Sequence, residues 1–122
     1  MAAYVAASLF HHVHNAEHLG QYPNMPAWIS AATVYGAWIG MTAIGAAGYL
    51  LFRRGRRPAG LALLLLYGAA GLYGFSHYAL APVSAHTLAM NFSIWAEAAT
   101  ALALLAWLVV ETATPHRTGR RA

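Results

Sequence analysis

The stretch TLAMNFSIWAEAATALALLAWLVV, residues 87–110, decides the fold class of this chain. It contains a single charged residue, Glu97, and it exceeds the roughly 20 mostly apolar residues that a helix needs to cross a bilayer. Two further stretches, Pro26 to Phe52 and Pro58 to Leu80, have the same character. Because the connections between the stretches are short, neighbouring helices run antiparallel. The sequence therefore predicts an all-α integral membrane bundle.

The composition of the whole chain agrees with a membrane protein. Of the 122 residues, 60% are hydrophobic and 8% are charged, whereas roughly a quarter of the residues in soluble domains are charged. A soluble domain of this size cannot bury so much apolar surface. The chain has no cysteine, which excludes disulfides, thiolate metal sites, iron–sulfur clusters and cysteine nucleophiles.

The number of spans depends on residues 2–20, which are only just long enough to cross and which carry histidines in their second half. The preferred interpretation is a bundle of four transmembrane helices. The alternative is three spans with an N-terminal helix that lies in the membrane interface. In either case we predict one domain, residues 1–114, followed by a flexible basic cytoplasmic tail, residues 115–122.

Single residues predict where the helices begin and how they pack. Pro26 and Pro58 suit first helical turns, and Ser84 is expected to cap the last helix. Gly36 and Gly40 allow a close approach, either to another helix of the bundle or to a second copy of the chain.

The positive charges form two clusters that indicate the topology. All 7 basic residues are arginines, and they lie in residues 53–57 and 117–121. If both clusters are cytoplasmic, the orientation is consistent and both termini lie inside, as in a bacterial inner-membrane protein. Contact with lipid head groups is expected, and nucleic-acid binding is not. Four aromatic residues are expected to be interfacial anchors: Tyr4, Tyr22, Trp28 and Tyr78.

The run HHVHNAEH, residues 11–18, is the strongest indication of function. On a helix, one face carries five polar residues: Tyr4, His11, His14, Asn15 and His18. His12 and Glu17 lie on the flanks of this face. Ionisable groups are costly inside a membrane, so they mark functional sites. Their i, i+3 and i, i+4 spacings allow two imidazoles of one helix to bind one metal ion.

The predicted topology brings more polar residues to the same half of the membrane. His77 lies one turn from the end of its span, and His86 starts a stripe that continues through Met90 and Ser93 to Glu97. At 1.5 Å per residue, Glu97 is roughly 16 Å below His86, near the bilayer centre. A buried carboxylate there has to face the interior and contact an imidazole or a cation. We therefore expect Glu97 to be catalytic, as a metal ligand or proton acceptor.

Three functions are compatible with these residues. The first is a small metalloprotein that uses copper, zinc or iron, with oxidoreductase chemistry on an apolar or membrane substrate. Its predicted ligands are His11, His14, His18, His77, His86 and Glu97. The second is a b-type cytochrome, in which His77 and a first-helix histidine such as His14 hold the haem. The third is a non-catalytic or metal-handling subunit that binds a second copy or a larger membrane complex.

Overall fold

The computed structural model describes residues 1–113, and within that range the chain forms helices and no strands. The α-helices are α1 (Ala2–Glu17), α2 (Ala31–Arg53), α3 (Arg57–Ala70), α4 (His77–Leu80) and α5 (Leu88–Ala113). Short 3-10 turns occupy Leu19–Gln21, Tyr73–Ser76 and Val83–Ala85. The predicted all-α bundle is confirmed.

Three stretches of the described chain are long and apolar enough to cross a membrane: Ala31–Arg53, Arg57–Leu80 and Leu88–Ala113. They correspond to the three predicted spans. Helix α1 is not among them, because its 16 residues extend about 24 Å, less than the roughly 30 Å of a hydrocarbon core. The count of four spans stays a prediction.

Helix α1 lies antiparallel to the first half of α5. Near the start of α1, Tyr4 belongs to the same buried cluster as Ala101 of α5. Further along α1, the ring of Phe10 lies 6.1 Å from the ring of Phe92. Since residue numbers rise along α1 as they fall along α5, the helices run in opposite directions. Helix α1 is thus part of the bundle, and it does not lie across the bundle end.

The start of α2 differs from the prediction, whereas the start of α3 agrees with it. Pro26 lies outside α2, which begins at Ala31. Ser30 and Thr33 form a capping box, in which each side chain accepts a hydrogen bond from the backbone N–H of the other. This box satisfies two N–H groups that a helix start leaves free, so it fixes the boundary. Pro58 lies in the first turn of α3, as expected.

The start of α5 is also displaced from the prediction. Ser84 does not cap this helix, because it lies in the 3-10 turn Val83–Ala85 and α5 begins only at Leu88. The hydroxyl of Thr87 instead accepts a 3.2 Å hydrogen bond from the backbone N–H of Met90. Thr87 therefore satisfies an N–H of the first turn, which is the role of an N-cap.

Helices α2 and α3 form a closely packed hairpin that depends on glycine. A Cβ atom at Gly60 would lie 2.5 Å from the backbone nitrogen of Phe52, and one at Gly45 would lie 2.5 Å from the ring of Tyr67. Neither position has room for a side chain. The backbone of Gly60 therefore packs against the backbone of Phe52, and the backbone of Gly45 packs against the ring of Tyr67. Gly55 in the connecting turn has a φ of +81°, a conformation that glycine adopts without strain.

The Arg57–Leu80 span is interrupted at Gly71. The Gly71 N–H bonds to the carbonyl of Gly68, so the helix tightens there and the carbonyl of Tyr67 loses its helical partner. The hydroxyl of Tyr4 donates a 2.9 Å hydrogen bond to that carbonyl. Tyr4 is 2% exposed, so it is a core residue and the prediction of an interfacial anchor was wrong. The interruption leads into the 3-10 turn Tyr73–Ser76 and redirects the chain into α4.

We call the two ends of the bundle the arginine end, at the α2–α3 turn, and the histidine end, at residues 18–30 and 81–87. At the arginine end, Arg57 Nη2 lies 2.9 Å from Glu111 Oε2, which links the start of α3 to the last turn of α5. The predicted tail and its arginine cluster lie outside the described residues. The cytoplasmic location of the arginine end stays a prediction.

Candidate functional site

A cavity of about 420 Å³ lies in the half of the bundle nearer the histidine end, between α1, the start of α2 and the Arg57–Leu80 span. Most of its lining is apolar. Five polar residues that line it, which we call the polar wall, are His11, His12, Asn15, His77 and Glu97. Two aromatic residues that also line the cavity, Trp28 and Tyr73, are 75% and 78% exposed and so lie at its border. The cavity therefore combines apolar surroundings with one polar side.

Glu97 lies at the centre of the polar wall. Its side chain is 3% exposed and faces the interior of the bundle. Its Oε2 atom lies 3.7 Å from His11 Nε2, and its Oε1 atom lies 3.7 Å from His12 Nδ1. Both imidazoles that reach the carboxyl group come from successive residues of α1. The antiparallel packing of α1 on α5 thus produces the contact.

His11 has a partner at each ring nitrogen. Its Nδ1 atom is 3.1 Å from the hydroxyl of Ser93, which donates its own proton to the carbonyl of Met90 at 2.8 Å. The Ser93 oxygen therefore accepts the His11 Nδ1–H, and the lone pair of Nε2 points at Glu97. A carboxylate and a lone pair repel each other. The pair is favourable when it holds one proton between His11 and Glu97.

His12 belongs to the polar wall, although its position on the flank of the helix excluded it from the predicted site. Its Nδ1–H donates a 2.9 Å hydrogen bond to the carbonyl of Ser8, which lies one turn earlier in α1. A helical wheel records only the direction of Cβ. An imidazole folded back onto the preceding turn reaches beyond its own face, so the wheel missed this contact.

Asn15 and His77 form the second contact within the polar wall. The amide Nδ2 of Asn15 donates to His77 Nε2 at 3.3 Å. The other polar atom of this amide, Asn15 Oδ1, is buried without a hydrogen-bond partner. An unsatisfied buried acceptor costs about 1–3 kcal/mol. Asn15 therefore holds an unsatisfied acceptor next to the cavity, although solvent does not reach the atom itself.

The other predicted ligands, His14, His18 and His86, do not line the cavity. His14 Nδ1 lies 2.9 Å from the hydroxyl of Tyr22, and the rings of His14 and His18 are 4.7 Å apart. His86 Nδ1 donates to the carbonyl of Pro82 at 3.1 Å, and its buried Nε2 has no partner. The six predicted ligands therefore divide between the polar wall and separate positions at the histidine end.

Tyr22 is a buried residue at the centre of these contacts, so the prediction of an interfacial anchor was wrong for it too. It is 4% exposed, and its ring lies 4.8 Å from the ring of His77. Burial raises the pKa of the Tyr22 phenol above its usual value, and a hydrogen bond with the Ser93 hydroxyl only partly offsets this rise. Tyr22 is therefore a neutral hydroxyl between His14 and Ser93. A lone tyrosine in a connecting segment carries no signal that could have predicted this role.

Metal coordination is not favoured by the arrangement of these side chains. Among residues 1–113, no three histidine, aspartate or glutamate side chains are grouped so that they could hold a metal ion. The Nδ1 atoms of His11 and His12 both bond to protein oxygens instead. The predicted metal site stays a prediction.

Comparisons with family models, with curated proteins and with solved structures found no match to this chain. No family is therefore assigned. The function has to follow from the cavity and its polar wall.

Proposed function

We propose that this protein binds a small, largely apolar molecule in the cavity and exchanges a proton with its polar end through Glu97. The buried pair of Glu97 Oε2 and His11 Nε2, 3.7 Å apart on the cavity wall, is the observation that carries this proposal. The volume of about 420 Å³ is within the usual range of small-molecule sites, which are mostly apolar with a few polar groups.

The chemistry of the pair suits proton exchange inside a membrane. When Glu97 is a carboxylic acid, His11 is a neutral acceptor, and when Glu97 is a carboxylate, His11 is able to carry the positive charge. The pair is neutral overall in both of these forms, and when it has given up a proton the carboxylate faces the His11 Nε2–H, whose positive end lowers the cost of the buried charge. A group that gives or takes a proton at such low cost acts as a general acid or base toward a bound ligand.

Asn15 indicates which ligands fit. Its unpartnered Oδ1 would accept a hydrogen bond once the amide turned toward the cavity, so the polar end of the ligand should carry a hydroxyl or N–H donor. The apolar lining suits a hydrophobic body, and the exposed rings of Trp28 and Tyr73 at the border suit entry from lipid. The ligand class is therefore a hydrophobic alcohol, phenol or amide that dissolves in the membrane.

Oxidoreductase activity is a narrower form of this proposal. A lipid-soluble phenol that is oxidised gives up protons together with its electrons, and Glu97 would accept one of the protons. For each proton that Glu97 accepts, one electron would pass to a ferric or cupric centre of a partner protein, which is the oxidant that this form of the proposal requires.

Haem is the less well supported alternative for the same region. The rings of His11 and His77 are in edge contact at 5.6 Å, and Tyr22 covers His77 at 4.8 Å. The space beside Gly71 holds the side chain of Tyr4. These rings occupy the volume that a porphyrin between the helices would need.

Extraction of the purified protein tests the proposal. Mass spectrometry of the extract should find a hydrophobic small molecule in stoichiometric amount with wild-type protein. Gly74→Ala should lower that amount, because the new methyl group would lie 3.4 Å from Glu97 Oε2, over the polar wall. Gly36→Ala is the matched control, since a Cβ at Gly36 meets nothing within 4 Å.

Two results would contradict the proposal. One is an extract without any stoichiometric small molecule, and the other is an equal content in Gly74→Ala and Gly36→Ala. An absorption spectrum and metal analysis of the same samples decide between this proposal and the haem and metal alternatives.

A further inference from the structure

We infer that protons reach Glu97 from the histidine end through a relay of four side chains, namely His14, Tyr22, Ser93 and His11. This inference rests on the proposed function, because the relay supplies the proton that Glu97 exchanges with the ligand. It adds a route and a direction to that function.

The members of the relay are joined by successive polar contacts. His14 Nδ1 is 2.9 Å from the Tyr22 hydroxyl. The Tyr22 hydroxyl also forms a hydrogen bond with the Ser93 hydroxyl. The Ser93 oxygen is 3.1 Å from His11 Nδ1, and the opposite nitrogen of the same ring is 3.7 Å from Glu97. Each member both accepts and donates a proton, as a relay requires.

The relay has two arrangements that differ by one proton at Glu97, and His11 Nε2 has to approach Glu97 Oε2 from its 3.7 Å separation for the last transfer. In the first, the His11 Nε2–H faces the Glu97 carboxylate, and the Ser93 hydroxyl has turned away from the Met90 carbonyl to donate to His11 Nδ1. In the second, the Glu97 carboxylic acid donates to His11 Nε2, and His11 Nδ1–H donates to Ser93. Each O–H or N–H bond that breaks is replaced by one on the next member. The net change is one proton lost by His14 and one gained by Glu97.

The outer end of the relay is open to water. The ring of His14 is half-buried and lies 4.7 Å from the ring of His18, which is exposed. The exposed imidazole of His18 is therefore the group through which a proton from water enters the relay. This gives the i, i+4 pair His14 and His18 a role that does not require a metal ion.

The opposite side of Glu97 is closed. One turn further along α5 begins a buried cluster that fills the bundle toward the arginine end: Tyr4, Leu64, Tyr67, Ala101, Leu104 and Leu108. Beyond the two tyrosines, the cluster consists of aliphatic side chains, which offer no proton acceptor. The relay therefore connects Glu97 with one end of the bundle only.

Glu97 is faced by histidines and hydroxyl groups rather than by other acids. From α1 it is approached by Tyr4, Ser8, His11 and His12, and from α3 by Tyr67. The other two acids of the chain lie elsewhere, with Glu17 hydrogen-bonded to Tyr35 and Glu111 paired with Arg57. A protonated carboxyl signal that disappears in Glu97→Gln therefore belongs to Glu97.

Infrared spectroscopy of the protein in lipid nanodiscs tests the relay. The carboxylic C=O band of Glu97, identified by its loss in Glu97→Gln, shifts when the proton exchanges for deuterium after mixing with D2O. We expect Tyr22→Phe and Ser93→Ala to exchange at least about tenfold more slowly than wild type, because each removes one hydroxyl from the relay. Tyr78→Phe is the matched control, since its hydroxyl donates to Asn91 Oδ1 at 2.8 Å, off the relay.

The outcomes separate the relay from the proposed function. Wild-type exchange rates in Tyr22→Phe and Ser93→Ala would overturn the relay. Slower exchange in Gly74→Ala alone would show that protons enter through the cavity, which overturns the relay and leaves the proposed function intact. If wild type has no carboxylic band that Glu97→Gln removes, Glu97 holds no proton, and both ideas fail. Unchanged helical circular dichroism shows that each variant is folded.

Discussion

The hydroxyl of Tyr4 bonds to the carbonyl of Tyr67, 63 positions away in the sequence, at 2.9 Å. This bond satisfies the carbonyl that the helix interruption at Gly71 leaves free, so α1 and the interruption stabilise each other. Beyond the interruption lie Gly74, which lines the cavity, and His77, which belongs to the polar wall. The position of the wall therefore depends on a contact outside it.

Tyr4→Phe should destabilise the protein by about 1–3 kcal/mol, because the carbonyl of Tyr67 would stay buried without a donor. The ring still fills the space beside Gly71, so the fold should persist. Unfolding in detergent measures the change. Tyr49→Phe, at a position that is 42% exposed, is the control and should have little effect. Equal stability of the two variants would show that the bond contributes nothing.

Gly71→Ala should also destabilise, by about 1–3 kcal/mol or more, because overpacking forces neighbours to move. The added Cβ would lie 2.5 Å from the Tyr4 hydroxyl and 2.7 Å from the Cβ of Ala101. Gly40→Ala provides the comparison, since nothing lies within 4 Å of that position. The same unfolding assay should find Gly40→Ala neutral or slightly stabilised, as for an alanine that fits a helix. A stable Gly71→Ala would contradict the tight packing.

Glu97→Gln should keep the fold and lose proton exchange. The amide has the same size, and its N–H group donates to His11 Nε2, so the free energy of unfolding should change by less than about 1.5 kcal/mol. The amide has no proton to give at neutral pH, so ligand-dependent proton release should disappear. Proton uptake in weakly buffered solution measures the loss, with Glu17→Gln as the control. Retained exchange in Glu97→Gln would assign the proton to another group.

The predicted orientation is tested with single cysteines, since the chain has none of its own. Gly55→Cys, at the arginine end, should resist a membrane-impermeant thiol reagent in intact cells, because arginine-rich loops stay cytoplasmic. Gly20→Cys, at the exposed histidine end, should react. The reverse pattern would mean that the bundle has the opposite orientation.

The spans could be predicted from the sequence because length and hydropathy alone determine which helices are able to cross a bilayer. The helix starts were harder, because they depend on local hydrogen bonds. Pro26 appeared to begin α2, but the capping box of Ser30 and Thr33 begins it instead. Proline tolerates a first turn without requiring one, whereas a capping box supplies the missing acceptors.

The site was predicted only where helical geometry decides the outcome. The inward position of Glu97 followed from the cost of exposing a carboxylate to lipid, and the shared face of His11 and Asn15 followed from helical periodicity. The contacts of Tyr22 with His14 and His77 depend on how the segment after α1 folds back against that helix. No periodic pattern in the sequence encodes the path of such a segment. Convergence of all six predicted ligands was assumed from their common depth, but equal depth does not bring side chains to one point.

The polar wall is assembled from distant parts of the chain, and this determines when it forms. Residues 54–56 join α2 directly to α3, so the hairpin consists of contacts between sequence neighbours. The bonds of the site span 62 positions between Asn15 and His77 and 82 positions between His11 and Ser93. During synthesis from the N-terminus, the hairpin is complete before α5 emerges from the ribosome. A chain that stops before α5 would therefore insert as a helical hairpin. Its first-helix histidines would lack Glu97, and the polar wall would not form.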